Sequence, residues 1–178
     1  QKALKLLEYE NKYEIKYYSH FCYASLLFDQ NQLDDSKKIL EDLYASAVIN
    51  NATTNQAELL IELAAIENKK DEYKKAYAYL MQAEPLLPKN TYSYVKFSYL
   101  YHLANIEFNM GNNAAAITQL KTVLSIKEIE QYQDIKADMN ILAGKIYLDR
   151  GGLHQALKYY LEAVAIYERL GLRRDLGR

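Results

Sequence analysis

A chain of 178 residues, half of them apolar, has the material for one ordinary domain with a sizeable core. Lys and Arg number 22 against 23 Asp and Glu, so a net charge of −1 offers no general attraction to nucleic acid or to an anionic membrane. One cysteine, Cys22, excludes an internal disulfide and the usual zinc spacings, no run of about 18 apolar residues is present to span a bilayer, and Gln1-Lys2-Ala3-Leu4-Lys5 lacks the apolar stretch of a signal peptide.

A cytoplasmic location is expected, or a periplasmic one where a signal or membrane segment lies upstream. Two prolines, Pro85 and Pro88, and six glycines are few, while Ala, Leu, Lys, Glu and Gln abound, so helices are expected throughout. Eighteen tyrosines stand against no tryptophan; most are expected half-buried in helix packing with the hydroxyl wet, the remainder facing a ligand.

From the amino end, residues 2 to 9 (Lys-Ala-Leu-Lys-Leu-Leu-Glu-Tyr) read as a helix. From residue 11 the chain repeats at an interval of 40. Ala24, Ala64, Ala104 and Gly144 mark one helix of each unit, and Ser36, Ala76, Ala116 and Ala156 follow twelve residues later in a second. Leu40, Leu80, Leu120 and Tyr160 lie four further on, and Leu43, Ala83, Val123 and Ala163 three beyond those, spacings that keep to one helical face. Between the helices stand Asn31-Gln32-Leu33, Asp71-Glu72-Tyr73, Gly111-Asn112-Asn113 and Gly151-Gly152-Leu153, runs of turn formers and helix caps.

Each unit therefore reads as helix, tight turn, helix, with units at 11–50, 51–90, 91–130 and 131–170. Small residues belong where two antiparallel backbones cross closely or where one hairpin stacks on the next. A single hairpin cannot bury its apolar face alone, so stability is shared between neighbours. In this scheme residues 1–10 are the second helix of a preceding repeat and 171–178 the start of a further helix, and the stretch 1–178 is expected to be one solenoid within a longer protein.

The pattern resembles the tetratricopeptide repeat (TPR), whose consensus sets Leu-Gly before an aromatic, then Ala, an aromatic and Ala on the second helix. The last unit carries Gly144, Tyr147, Gly151, Ala156, Tyr160 and Ala163; the second has Leu63-Ala64, Tyr73, Ala76, Ala83 and Pro88; the third keeps Leu103-Ala104, Gly111 and Ala116. The first retains Ala24 and Leu27 and places Ser36 where Ala is usual. At the family's Trp position stand His20, Leu60, Leu100 and Asn140, and the interval exceeds the usual one of about 34 residues, which implies longer helices or a roomier loop between repeats. The resemblance covers residues 11 to 168 and implies an all-α fold, a right-handed superhelical solenoid of antiparallel helical hairpins. Within the family, 156–171 is most similar to the repeat arrays of bacterial signalling and transcription regulators.

The resemblance further implies that the first helices line a concave groove and meet a partner through their solvent-facing positions. These are Tyr18, Phe21, Ser25 and Asp29, then Glu58, Glu62, Ala65 and Lys69, then Tyr101, Asn105 and Asn109, and last Asp138, Ile141, Lys145 and Asp149. Asn105 leads the set because an amide offers a donor and an acceptor to the backbone of an extended peptide. On this reading Asn105→Ala and Tyr101→Ala abolish binding and leave folding intact. Glu58 and Glu62 stand where a clamp on a terminal carboxylate needs an amide or a cation, which argues against a chaperone C-terminus as ligand.

No chemistry competes with that reading. His20, His102 and His154 have no helical i, i+4 histidine partner for a metal; the first two are expected as partly buried packing residues and the third in a turn. Cys22 lacks a base on its own side of the helix. The acidic pairs Asp34-Asp35, Glu41-Asp42 and Asp71-Glu72 suit helix starts and exposed faces, and Arg169, Arg173, Arg174 and Arg178 suit a helix end and the next helix rather than a nucleic-acid surface. No catalytic residue, metal or cofactor, and no nucleic-acid or membrane contact by this segment, is expected. A module binding a protein or peptide, as the sensing or assembly part of a bacterial signalling or transcription regulator, is the leading expectation. Self-association of two copies is the alternative.

Overall fold

The computed structural model describes residues 2–89 and 92–171, with side chains from Tyr13 onward. These residues form eight α-helices in two compact units, Gln1–Leu86 and Leu87–Arg178, and no strand among the described residues. In the first unit α1 (Lys2–Asp29) pairs with α2 (Leu33–Ile49), α3 (Thr53–Lys69) pairs with α4 (Tyr73–Ala83), and α3 also lies against α2. In the second unit α5 (Tyr94–Asn109) pairs with α6 (Asn113–Leu124) and α7 (Gln133–Asp149) with α8 (Leu153–Arg169), while α7 packs on α5 and α6. Pro85, which has no N–H and crowds the preceding turn, follows the end of α4 in a 3₁₀ turn over Glu84–Leu86.

The turns within the hairpins repeat as faithfully as the helices. Asn31, Asp71, Gly111 and Gly151 are all left-handed, with φ of 62°, 61°, 85° and 74°. In each, the left-handed residue donates its N–H three residues back and the next residue five back, as in Asn31 to Phe28 O (3.0 Å) and Gln32 to Leu27 O (2.8 Å). This double closure satisfies the carbonyls left open at a helix end and reverses the chain at once. Asn, Asp and Gly tolerate that backbone best, which is why these residue types occupy this station in all four hairpins.

The small residues sit where the backbones cross. Ala24, Ala64, Ala104 and Gly144 are buried, as are Ser36, Ala76, Ala116 and Ala156. Ser36 keeps its hydroxyl satisfied by donating to Ala24 O at 2.8 Å, so a serine serves where the other units have alanine. The core of the first unit gathers Tyr17, Leu40, Leu43, Leu59, Leu63 and Ile66. That of the second gathers Phe97, Leu120, Ile129, Met139, Leu142 and Ile146.

Three hairpins pair alanine in the first helix with leucine sixteen residues on (Ala24 with Leu40, Ala64 with Leu80, Ala104 with Leu120), and the fourth pairs Gly144 with Tyr160. A Cβ at Gly144 would stand 2.7 Å from the Tyr160 ring, so the larger ring occupies the space the missing methyl vacates. Gly144→Ala is expected to destabilise by about 1–2 kcal/mol, overpacking outweighing the gain in helix propensity. The double variant Gly144→Ala/Tyr160→Leu, which restores the pairing of the other three hairpins, should recover that loss; urea unfolding of the two variants measures the coupling.

Two expectations change. Residues 2–10, expected as the second helix of a preceding repeat, run without a break into α1, which is 28 residues long. No Gly or Pro interrupts Glu8-Tyr9-Glu10-Asn11-Lys12-Tyr13-Glu14, and Asn11 alone disfavours a helix only weakly. His20, expected partly buried, is exposed, its Nδ1 2.9 Å from Lys16 O, because no preceding helix among the described residues covers that side of α1. The further helix expected over 171–178 lies outside the described residues beyond Gly171.

Candidate peptide-binding face of the first helices

In the first unit three contacts hold α3 beside α1. Asn55 Nδ2 donates to Tyr13 Oη at 3.3 Å, Tyr17 Oη donates to Glu58 Oε2 at 2.5 Å, and Lys69 Nζ donates to Phe28 O at 3.0 Å while lying 4.3 Å from the Phe28 ring. Lys69 thus caps the carboxyl end of α1, where carbonyls lack helical partners and the dipole favours a cation. Of the residues expected to meet a partner, Glu58 and Lys69 are engaged in joining the two helices.

Between those contacts lies the rest of the expected face. Phe21 stacks on Tyr17 with ring centroids 5.7 Å apart, and Tyr18, mostly exposed, meets the same ring edge-on at 5.5 Å. Ser25 donates back to Phe21 O at 3.1 Å, Asp29 is exposed and Ala65 is buried. Glu62 is half-buried in a cleft with room for about one water, lined also by Ser25, Phe28 and Leu40. Burial first, and then the charges of Glu58 and Asp29, push its carboxyl up to about 7. Burial likewise raises Glu58, against the opposing effect of the Tyr17 hydroxyl.

In the second unit the expected residues divide. Asn105 is half-buried on α5, and no hydrogen bond to its amide is found among the described residues; Lys145 is exposed at the same repeat position on α7, and Asn109 is exposed at the end of α5. Tyr101 packs against the core cluster and edge-on against His102 at 5.0 Å. Three residues are drawn into the fold: Asp138 accepts from Tyr167 Oη at 2.6 Å, Ile141 packs against Ala163, Ile166 and Tyr167, and Asp149 Oδ2 accepts from Asn113 Nδ2 at 2.6 Å, joining α7 to the start of α6. His102 is a packing residue, held neutral by burial that takes its pKa down to about 4. Among the described residues no group of three or more His, Cys, Asp or Glu is placed to hold a metal, and no helix is long and apolar enough to cross a membrane.

Hairpins stacked through small-residue crossings, with polar and aromatic first helices, define a helical-repeat scaffold. Residues 143–170 match a family model described as tetratricopeptide repeat. Three solved structures share the fold. BtubC (BKLC) from P. vanneervenii has 16% identity and a TM-score of 0.63, over 89% of this chain and 66% of that one. The nearly identical TPR-like repeats of a putative kinesin light chain from Podosopora anserina have 16% identity and a TM-score of 0.61, over 87% and 76%. MamA protein has 20% identity and a TM-score of 0.51, over 91% and 78%. At such identities the likeness shows the fold, which is all-α and TPR-like. The chain spans just under two thirds of the length of BtubC, and no curated protein matches its sequence.

Proposed function

We propose that the chain is a protein-binding scaffold whose first helices hold an extended peptide segment, as the sensing or assembly module of a bacterial signalling or transcription regulator. The observation that carries this reading is the Asn105 amide, half-buried on a first helix with its hydrogen-bonding capacity unspent among the described residues. An amide so placed gains from a ligand backbone that supplies both a donor and an acceptor. Lys145 on α7 adds a cation at the same repeat position. The regulator context rests on the resemblance of 156–171 alone; a kinase or helix-turn-helix domain in the reading frame around this segment supports it, and any other partner domain replaces it.

Peptides selected from a displayed random library on the 178-residue chain provide the test. Asn105→Ala should weaken the selected peptides by about tenfold in calorimetric titration while the melting temperature holds. Failure to select any peptide, or equal binding by the variant, overturns the reading. Tyr101→Ala does not serve as the clean probe expected of it, because Tyr101 packs into the core and its loss reports on folding.

A further inference from the structure

The cleft beside Glu62 in the first unit has an apolar counterpart in the second. Its walls, Phe28, Leu40 and Ile66, are repeated eighty residues on as Phe108, Leu120 and Ile146. The polar positions are the ones that change: Glu62 becomes Leu142, Ser36 becomes Ala116 and Ser25 becomes Asn105. Leu142 is 3% exposed in the core of its unit, and Phe108 packs against the same cluster. The fold thus closes at this station with a leucine and has no need of an acid. A half-buried carboxylate in its place costs stability unless something partners it. No hydrogen bond or ion pair reaches Glu62 among the described residues, and the charges that act on it, Glu58 and Asp29, share its sign.

The hydrogen bonds around the cleft decide what fits it. Ser25 Oγ gives its proton to Phe21 O at 3.1 Å and Ser36 Oγ gives its own to Ala24 O at 2.8 Å, so each hydroxyl has only lone pairs left for the cleft. The charged form of Glu62 is an acceptor too. A water placed among three acceptors donates two hydrogens and leaves its own lone pairs without a donor. An ammonium has three donors and no acceptor, and it is about the size of the one water for which there is room. The Phe28 ring favours a cation as well, and already lies 4.3 Å from the Lys69 ammonium. Lys69 does not serve Glu62, since it stands two turns, about 10 Å, further along α3 and donates to Phe28 O.

We propose, building on the protein-binding reading above, that this cleft receives the ammonium of a lysine side chain presented by the protein partner, held by Glu62 and Ser25 with its aliphatic stem against Phe28. Selectivity follows from size and from the count of hydrogens. A guanidinium is too broad for the space of one water, and a trimethylated ammonium has no hydrogen to donate. Acetylation of the lysine removes the charge.

Chemical-shift titrations of the whole chain at about pH 8, where Glu62 is charged, test the cleft with N-acetyl-lysine methylamide and with its arginine and trimethyl-lysine analogues. The lysine probe should shift the amides of Ser25, Phe28 and Glu62 to saturation, and the other two should bind at least about tenfold more weakly. Glu62→Gln and Glu62→Leu, the second a copy of Leu142, should each weaken the lysine probe by about tenfold or more, with the remaining amide spectrum showing that the variants are folded. Asn105→Ala should bind it as the wild type does. Equal affinity for all three probes would mean mere attraction of opposite charges and overturns the proposal; so does a lysine probe that never saturates, or one that both Glu62 variants bind undiminished. Because the probes are single amino acids, the outcome is separate from that of the library selection: the cleft can take its lysine when no peptide is selected, and peptides can bind through Asn105 when the cleft takes none.

Discussion

Lys37→Met is expected to destabilise the chain by about 3 kcal/mol and to lower the thermal midpoint by about 10 °C. The Lys37 ammonium reaches from α2 to Glu67 on α3 at 2.6 Å, and the Glu67 side chain is only 3% exposed. The Tyr79 ring lies 6.0 Å from the same ammonium, and Glu41 stands 3.8 Å away on the exposed side. The hydrogen bond to Glu67, with the charges around it, raises the Lys37 pKa. Met fills the aliphatic part of the lysine and removes the charge, leaving a buried carboxylate with no other partner among the described residues. An unpaired buried charge costs far more than the pair contributed, so the effect should be mostly reversed by Lys37→Ile/Glu67→Tyr. That double variant copies the chain's own solution two repeats further on, where Ile117 and Tyr147 hold the same two positions as an apolar contact. Denaturant unfolding followed by circular dichroism measures all three proteins; a single variant as stable as the wild type would show that the carboxylate finds water.

The hairpin architecture was legible because the fold's own constraints have a period. Close backbone crossings demand small side chains, left-handed turns demand Asn, Asp or Gly, and both recur at each fortieth residue, from Ala24 to Gly144 and from Asn31 to Gly151. The length of α1 was not legible, because a helix without a breaker gives no local sign of where one repeat yields to another. The candidate site divided along the same line. Its register on the first helices followed from the pattern, but the pattern does not say which polar groups the fold itself consumes. Lys69 goes to a backbone carbonyl, a partner that no residue type announces, whereas Glu58 and Asp149 pair with side chains 41 and 36 residues away. Those separations lie close to one period, so a search for complementary polar residues about forty apart would have marked both. Asn105 stands out only after such contacts have been set aside.

Glu62 was read as a groove residue, and its position beneath α1 gives it a second role, as the source of a pH-dependent loss of stability. A glutamate in the unfolded chain titrates near 4.5, and in the fold burial beside Glu58 and Asp29 takes this one to about 7. Below the first value both states hold the proton and there is no penalty. Between the two the folded chain keeps a proton that the unfolded chain has released, so stability falls as the pH rises, by about 3 kcal/mol over the window, and above about 7 the full cost of the buried charge is in place. Glu62→Gln keeps the shape without the charge. It should match the wild type at pH 4 and exceed its melting temperature by roughly 5–10 °C at pH 8. Melts of both proteins across that range decide it: if the two curves run parallel, the group that loses its proton lies elsewhere. A basic side chain docked against the Glu62 carboxylate would favour its charged form, so a ligand that uses this acid should bind more tightly above pH 7 than below and release a proton when it binds near neutrality.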